Sequence, residues 1–162
     1  GKLQLGLNNE RTSYLVTIIS LGIVIGSGIA GAVARGGRSN SVQRLGAWGM
    51  VALFLLMAAR GGPRDHLLGY WGSLAALGSV GIFTGMFAVP LQVFLQSRPP
   101  EGLKGRMIAT QNLLNWLGIF ASSGIYWAGA SVLRWFHWPE NGMFALTALL
   151  MLPVAWWYRP GK

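Results

Sequence analysis

Three amides, Gln111, Asn112 and Asn115, stand close together in the apolar run "IATQNLLNWLG". On a helix, partners three and four residues apart lie on one broad face, which is the spacing of Asn112 and Gln111 to Asn115. Gln92 adds a fourth amide in the preceding run, two residues after Pro90. Amides offer neutral donors and acceptors, a chemistry that holds partners and does not break bonds. They can tie one helix to another or meet the polar group of a ligand, and the spacing leaves both open. There are no cysteines, hence no disulfide, thiolate nucleophile or Cys-based metal site. His66 and His137 fall in connecting segments, and neither pairs with a nucleophile. No catalytic residue, metal site or cofactor is expected, and the chain does not read as an enzyme.

The elements that carry these amides follow from charge and hydropathy. Of the 162 residues, 52% are hydrophobic and 10% charged, against about a quarter charged in soluble domains. The four acids, Glu10, Asp65, Glu101 and Glu140, lie near segment ends, and the 13 Lys and Arg fall in clusters. Uncharged stretches cover residues 12–34, 45–59, 67–97, 107–133 and 141–158. A span of the hydrocarbon core takes ~20 apolar residues, range ~17–25. Four stretches reach this; the second, at fifteen residues, does so only if Arg44 and Arg60 snorkel outward. Five helices apolar all round cannot bury every face in so small a soluble domain. The expected fold is all-α, a polytopic membrane protein with spans near 13–35, 45–61, 67–97, 106–133 and 141–158. The net charge of +9 is then retention of positive loops on the cytoplasmic side. No stretch interleaves basic and aromatic residues along a polar face, so nucleic acid is not an expected partner; the lipid bilayer is.

Counted on alternate sides, eight of the Lys and Arg residues (Arg35, Arg38, Arg44, Arg98, Lys104, Arg106, Arg159, Lys162) face five (Lys2, Arg11, Arg60, Arg64, Arg134). The richer side should be cytoplasmic, which puts the N-terminal end of the sequence outside and the C-terminal end inside. The charged corner "SRPPEGLKGR" is then a cytoplasmic loop, with Pro99 and Pro100 ending the third helix. Tyr70 and Trp71, Tyr126 and Trp127, Trp135 and Trp138, and Trp156 and Trp157 fall near span ends, where the membrane–water boundary favours them.

Gly22 and Gly26 form a G-x-x-x-G in the first span, and Gly78, Gly81 and Gly85 give the third a similar seam. Small residues at this spacing let helix backbones approach closely, for static packing, for rocking during transport, or for both. Pro90 should kink the third helix. Asn115 lies nine residues past Arg106, or ~13 Å along a helix, close to the midplane of a ~30 Å core. Amides at that depth should face protein or a wet cavity.

The stretch "GIFTGMFAVPLQVFLQSRPPEGLKGRMIATQNLLNWLG" resembles the tenth and eleventh helices of bacterial lysophospholipid transporters of the major facilitator superfamily, through Gly81, Gly85, Phe87, Pro90, Leu91, Gln96, Ala109, Gln111, Asn112 and Asn115. "YLVTIISLGIVIGSGIAG" is similar to the eighth helix of that family. The resemblance implies the C-terminal part of a twelve-helix fold, helices eight to twelve, in a bacterial inner membrane. The partners it implies are lysophospholipid and the N-terminal half of the transporter. An odd number of spans and a first residue other than Met fit the expectation of a fragment. Other functions open at this point are export or uptake of another small solute, and the membrane module of a fused acyltransferase. One departure from the superfamily pattern is Ala34, which stands where the loop motif before Arg35, Gly37 and Arg38 has an acid.

Overall fold

A computed structural model describes residues 9–34, 39–59, 68–97, 101–139 and 141–157. They form five α-helices: α1 (Asn9–Ala34), α2 (Ser39–Ala58), α3 (Gly69–Ser97), α4 (Lys104–Trp135) and α5 (Gly142–Trp157). A 3₁₀ turn, Glu101–Leu103, leads into α4. Four helices are long and apolar enough to cross a membrane: Ser13–Ala34, Ser39–Ala58, Gly69–Leu95 and Lys104–Trp135. The chain is an all-α, polytopic helical membrane protein. Large apolar side chains face outward along the bundle, as at Val24, Leu55, Phe94 and Phe120, where lipid can cover them.

Two helices depart in length from the uncharged runs. α2 begins at Ser39 and carries Arg44 within its second turn, so it is 20 residues long where the charge-free run has fifteen. A long cationic side chain in the first turns of a spanning helix keeps its head at the boundary while its stem covers apolar surface, and Arg44 is exposed. The short helix is instead α5, with 16 residues, ~24 Å long against a ~30 Å core.

The core is a layered contact of α1 on α3, α3 on α2, and α2 on α5. Ala30, Val42 and Met86 bring α1, α2 and α3 together, with Ile82 and Phe83 packed against them. Ala47, Val51 and Ala155 join α2 to α5 beside Phe87, and Trp48 meets Trp156 edge-on at 6.4 Å. Gly22 and Gly26 are buried against α3. A methyl group built on Gly26 would strike the Ile82 carbonyl, and one on Gly81 the Ile19 carbonyl. Gly85 meets the Ile23 carbonyl and the Ser27 amide in the same way, at 2.5 and 2.7 Å. Gly46 plays this part between α2 and α3, where a Cβ would lie 2.8 Å from the Phe83 carbonyl. Lipid tails give helices no hydrophobic reason to associate, so this close approach supplies the attraction.

α2 and α5 are also tied by one polar contact. Asn141 is 4% exposed, and its Nδ2 donates to the Ala58 carbonyl at 3.1 Å. That carbonyl is the last of α2 and has no partner within its own helix. The Asn141 carbonyl accepts from the Phe144 amide at 3.0 Å, opening α5.

Candidate functional site

α4 carries the amides and stands apart from the other helices. None of its residues is buried, and it touches α3 and α5 only over short stretches. Gln111 is half-buried, and Asn112 and Asn115 are exposed. Gln92 is exposed on α3 just beyond Pro90. Pro90 is buried, and α3 runs through it to Ser97, two residues before Pro99.

Helical spacing sets Gln111, Asn115, Gly118, Ser122, Ile125 and Gly129 along one side of α4, in steps of three and four. The middle of this row is small. A Cβ on Gly118 would meet nothing within 4 Å, and the Ser122 hydroxyl turns back onto the Ile119 carbonyl at 2.8 Å. Its far end opens into an apolar cavity of about 850 Å³ between α4 and α5. Ile125, Gly129 and Val132 line one wall, Leu146 and Leu149 the other, and Trp138 lies at the turn between the helices. From Asn115 to Ile125 the helix rises ~15 Å. One side of α4 therefore runs from amides, past small residues, to an apolar chamber.

The turn that closes this chamber is built locally. α4 ends with the Trp138 amide donating to the Leu133 carbonyl at 2.9 Å and the His137 amide to the Arg134 carbonyl at 3.1 Å. This is the Schellman pattern, with His137 at φ 51° in the left-handed place glycine usually takes. His137 thus acts through its backbone. The pattern brings Trp138 and Leu133 together at the cavity wall. Nothing in the local sequence marks the chamber, because half of it comes from α5.

No family model matches the chain, and no solved structure matches it. Over 126 residues, 77% of the chain, the sequence is 32% identical to the lysophospholipid transporter LplT of Klebsiella pneumoniae strain 342, of which it covers 30%. The protein of the same name from a second Klebsiella pneumoniae strain matches with the same identity and coverage. The chain thus spans about a third of the length of the curated relatives it matches, and its likeness is to a membrane transporter.

Proposed function

We propose that this chain supplies part of a lysophospholipid transporter of the bacterial inner membrane. The observation that carries the reading is the 126-residue likeness to proteins named as lysophospholipid transporters. The geometry of α4 supports it. A lysophospholipid has a polar head and one acyl chain, and α4 offers amides at one point and an apolar cavity further along the same side. In this reading Asn115, with Gln111, Asn112 and Gln92, meets the head, and the chain lies toward Ile125 and Leu146.

The same reading makes the helices the C-terminal part of a major facilitator fold working by alternating access. Substrate in such transporters binds near the midplane, between repeats, so α4 forms one wall and a further half of the protein the other. The loops at 35–38 and 98–106 are then cytoplasmic. The glycine seam of α1 and α3, with Pro90, lets those helices move as a pair.

The test is lysophospholipid uptake by the full-length protein carrying Asn115→Leu, normalised to protein in the membrane. Interhelical amide bonds in membranes average ~0.6 kcal/mol and seldom exceed ~1.7. If Asn115 only ties helices, stability falls slightly and uptake per molecule holds. A site in the cavity predicts near-normal folding with uptake down at least about tenfold, the effect of ~1.4 kcal/mol at the transition state. Wild-type uptake per molecule would remove Asn115 from the site.

A further inference from the structure

α2 and α5 run antiparallel. Asn141, just ahead of α5, bonds the Ala58 carbonyl at the end of α2. Toward the opposite end, Trp48 of α2 meets Trp156 of α5 edge-on at 6.4 Å. The helices are fixed to each other beside these rings by Ala47, Val51 and Ala155, all buried. The rings themselves look outward: Trp48 is 38% exposed and Trp156 74%. Arg44 stands one turn before Trp48 on the same face of α2 and is exposed. Among the described residues it forms no ion pair or hydrogen bond. Away from Arg44 the exposed face of α2 continues through Ala52, Leu55 and Leu56. A cation, two indole rings and an apolar strip thus follow one another down the outside of the bundle.

An Arg guanidinium matches a phosphate with two parallel N–H···O bonds. Indole rings sit at the membrane–water boundary with an N–H free to donate to a lipid oxygen. The surrounding charge decides which phosphate is preferred. Residues 35–58 and 142–162 hold Arg35, Arg38, Arg44, Arg159 and Lys162 and no acid. A zwitterionic head group brings an ammonium toward these cations and is repelled in part. A head group of net negative charge is attracted without that cost.

We propose that Arg44, Trp48 and Trp156 hold the head group of a two-chain, net negative phospholipid of the surrounding bilayer, with its acyl chains against Ala52 and Leu55. The lipid bridges α2 and α5 at the end opposite the Asn141 bond. The site lies on the outside of α2 and α5, apart from the amides of α4. It rests on the chain's being a membrane protein and not on the transport function proposed above: the lipid is a fixed part of the assembly, not cargo.

The test is native mass spectrometry of the full-length protein, titrated in detergent with dioleoyl phosphatidylglycerol or dioleoyl phosphatidylcholine, which resolves the first bound lipid from later ones. The wild type takes the first phosphatidylglycerol more tightly than the first phosphatidylcholine. Arg44→Gln lowers the phosphatidylglycerol affinity about 5-fold and leaves phosphatidylcholine unchanged. Trp156→Leu lowers it ~2- to 10-fold. Arg44→Lys, which keeps the charge, retains the preference, and Arg106→Gln, which removes an exposed cation of α4, leaves the affinity unchanged. Equal affinity of the wild type for the two lipids would overturn the proposal. So would a loss in Arg106→Gln as large as in Arg44→Gln, the sign of diffuse attraction to any surface cation. An unchanged affinity in Trp156→Leu would show Arg44 acting without α5, and a loss in Arg44→Lys equal to that in Arg44→Gln would show disturbed packing; either overturns the site. Lysophosphatidylglycerol displacing the two-chain lipid as well as phosphatidylglycerol does would also overturn it, marking a path for single-chain lipid.

Discussion

Replacing Gly26 by alanine should do damage out of proportion to one methyl group. The added Cβ would lie 2.7 Å from the Ile82 carbonyl carbon and 2.9 Å from its Cα, and closer still to the carbonyl oxygen. These are backbone atoms of α3, so no rotamer change relieves the contact. Carbon atoms pack at about 3.5–4.0 Å, so the two helices must part by roughly 1 Å. A gap of that size forfeits a quarter to a half of each atom pair's ~0.1–0.2 kcal/mol. With on the order of 50 pairs along the seam, as many as one buried leucine makes, the loss comes to about 1–5 kcal/mol. That range spans the ~1–3 kcal/mol typical of overpacked cores.

The assay is unfolding of the full-length protein by steric trapping in bicelles. Gly28→Ala is the control, because a Cβ there meets nothing within 4 Å and its cost should stay within about 0.5 kcal/mol. Gly85→Ala, on the facing helix, should cost about as much as Gly26→Ala. The double variant should cost less than the sum, since helices already parted have room for the second methyl. Gly26→Ala as stable as Gly28→Ala would refute the reasoning, and strict additivity of Gly26→Ala with Gly85→Ala would refute the shared seam.

Two further outcomes are expected. Asn141→Ala removes the bond to the Ala58 carbonyl and leaves that acceptor poorly solvated, so stability should fall by about 1–3 kcal/mol, measured by the same unfolding assay; an unchanged midpoint would mean that α2 and α5 are held without it. Ser39→Cys, in a chain with no native cysteine, should resist an impermeant thiol reagent applied to intact cells and react once the membrane is opened; labelling from outside would reverse the proposed orientation.

What the sequence made legible was mostly local. Charge-free runs locate helices, because a spanning segment must satisfy its own backbone; the proline corner at Pro99 and Pro100 lies outside the described residues. The amides could be set on one face by counting, since Gln111 and Asn115 belong to a single helix. The start of α2 could not be read this way: Arg44 ends a charge-free run but not a helix. The packing of Gly46 on Phe83 was not legible either, because its nearest glycine, Gly49, stands three residues away and breaks the four-residue seam pattern. The Asn141 bond joins residues 83 apart and leaves no periodic trace. A cavity between α1 and α3 shows the same limit. Tyr70 and Trp71 read from sequence as boundary residues, and only the approach of α1 brings Tyr14 to a wall of the same cavity.

These limits bear on where function resides. The glycines of α1 and α3 are used up in packing, since each Cβ position on Gly22, Gly26, Gly81 and Gly85 is filled by the opposite backbone. In α4 only Gly129 is so placed, its Cβ position 2.5 Å from the Leu146 side chain, whereas Gly118 and Gly124 have open space around them; among the described helices α4 is the one that buries no residue. A helix of 32 residues with exposed amides is costly in hydrocarbon unless a protein surface or a ligand satisfies them. Small residues and amides together are what a surface needs to let something approach closely and then hold it. α1 and α3 spend their small residues on each other, whereas α4 keeps both resources available, and in the transport function proposed above that makes it the helix against which a substrate or another part of the protein would come and go.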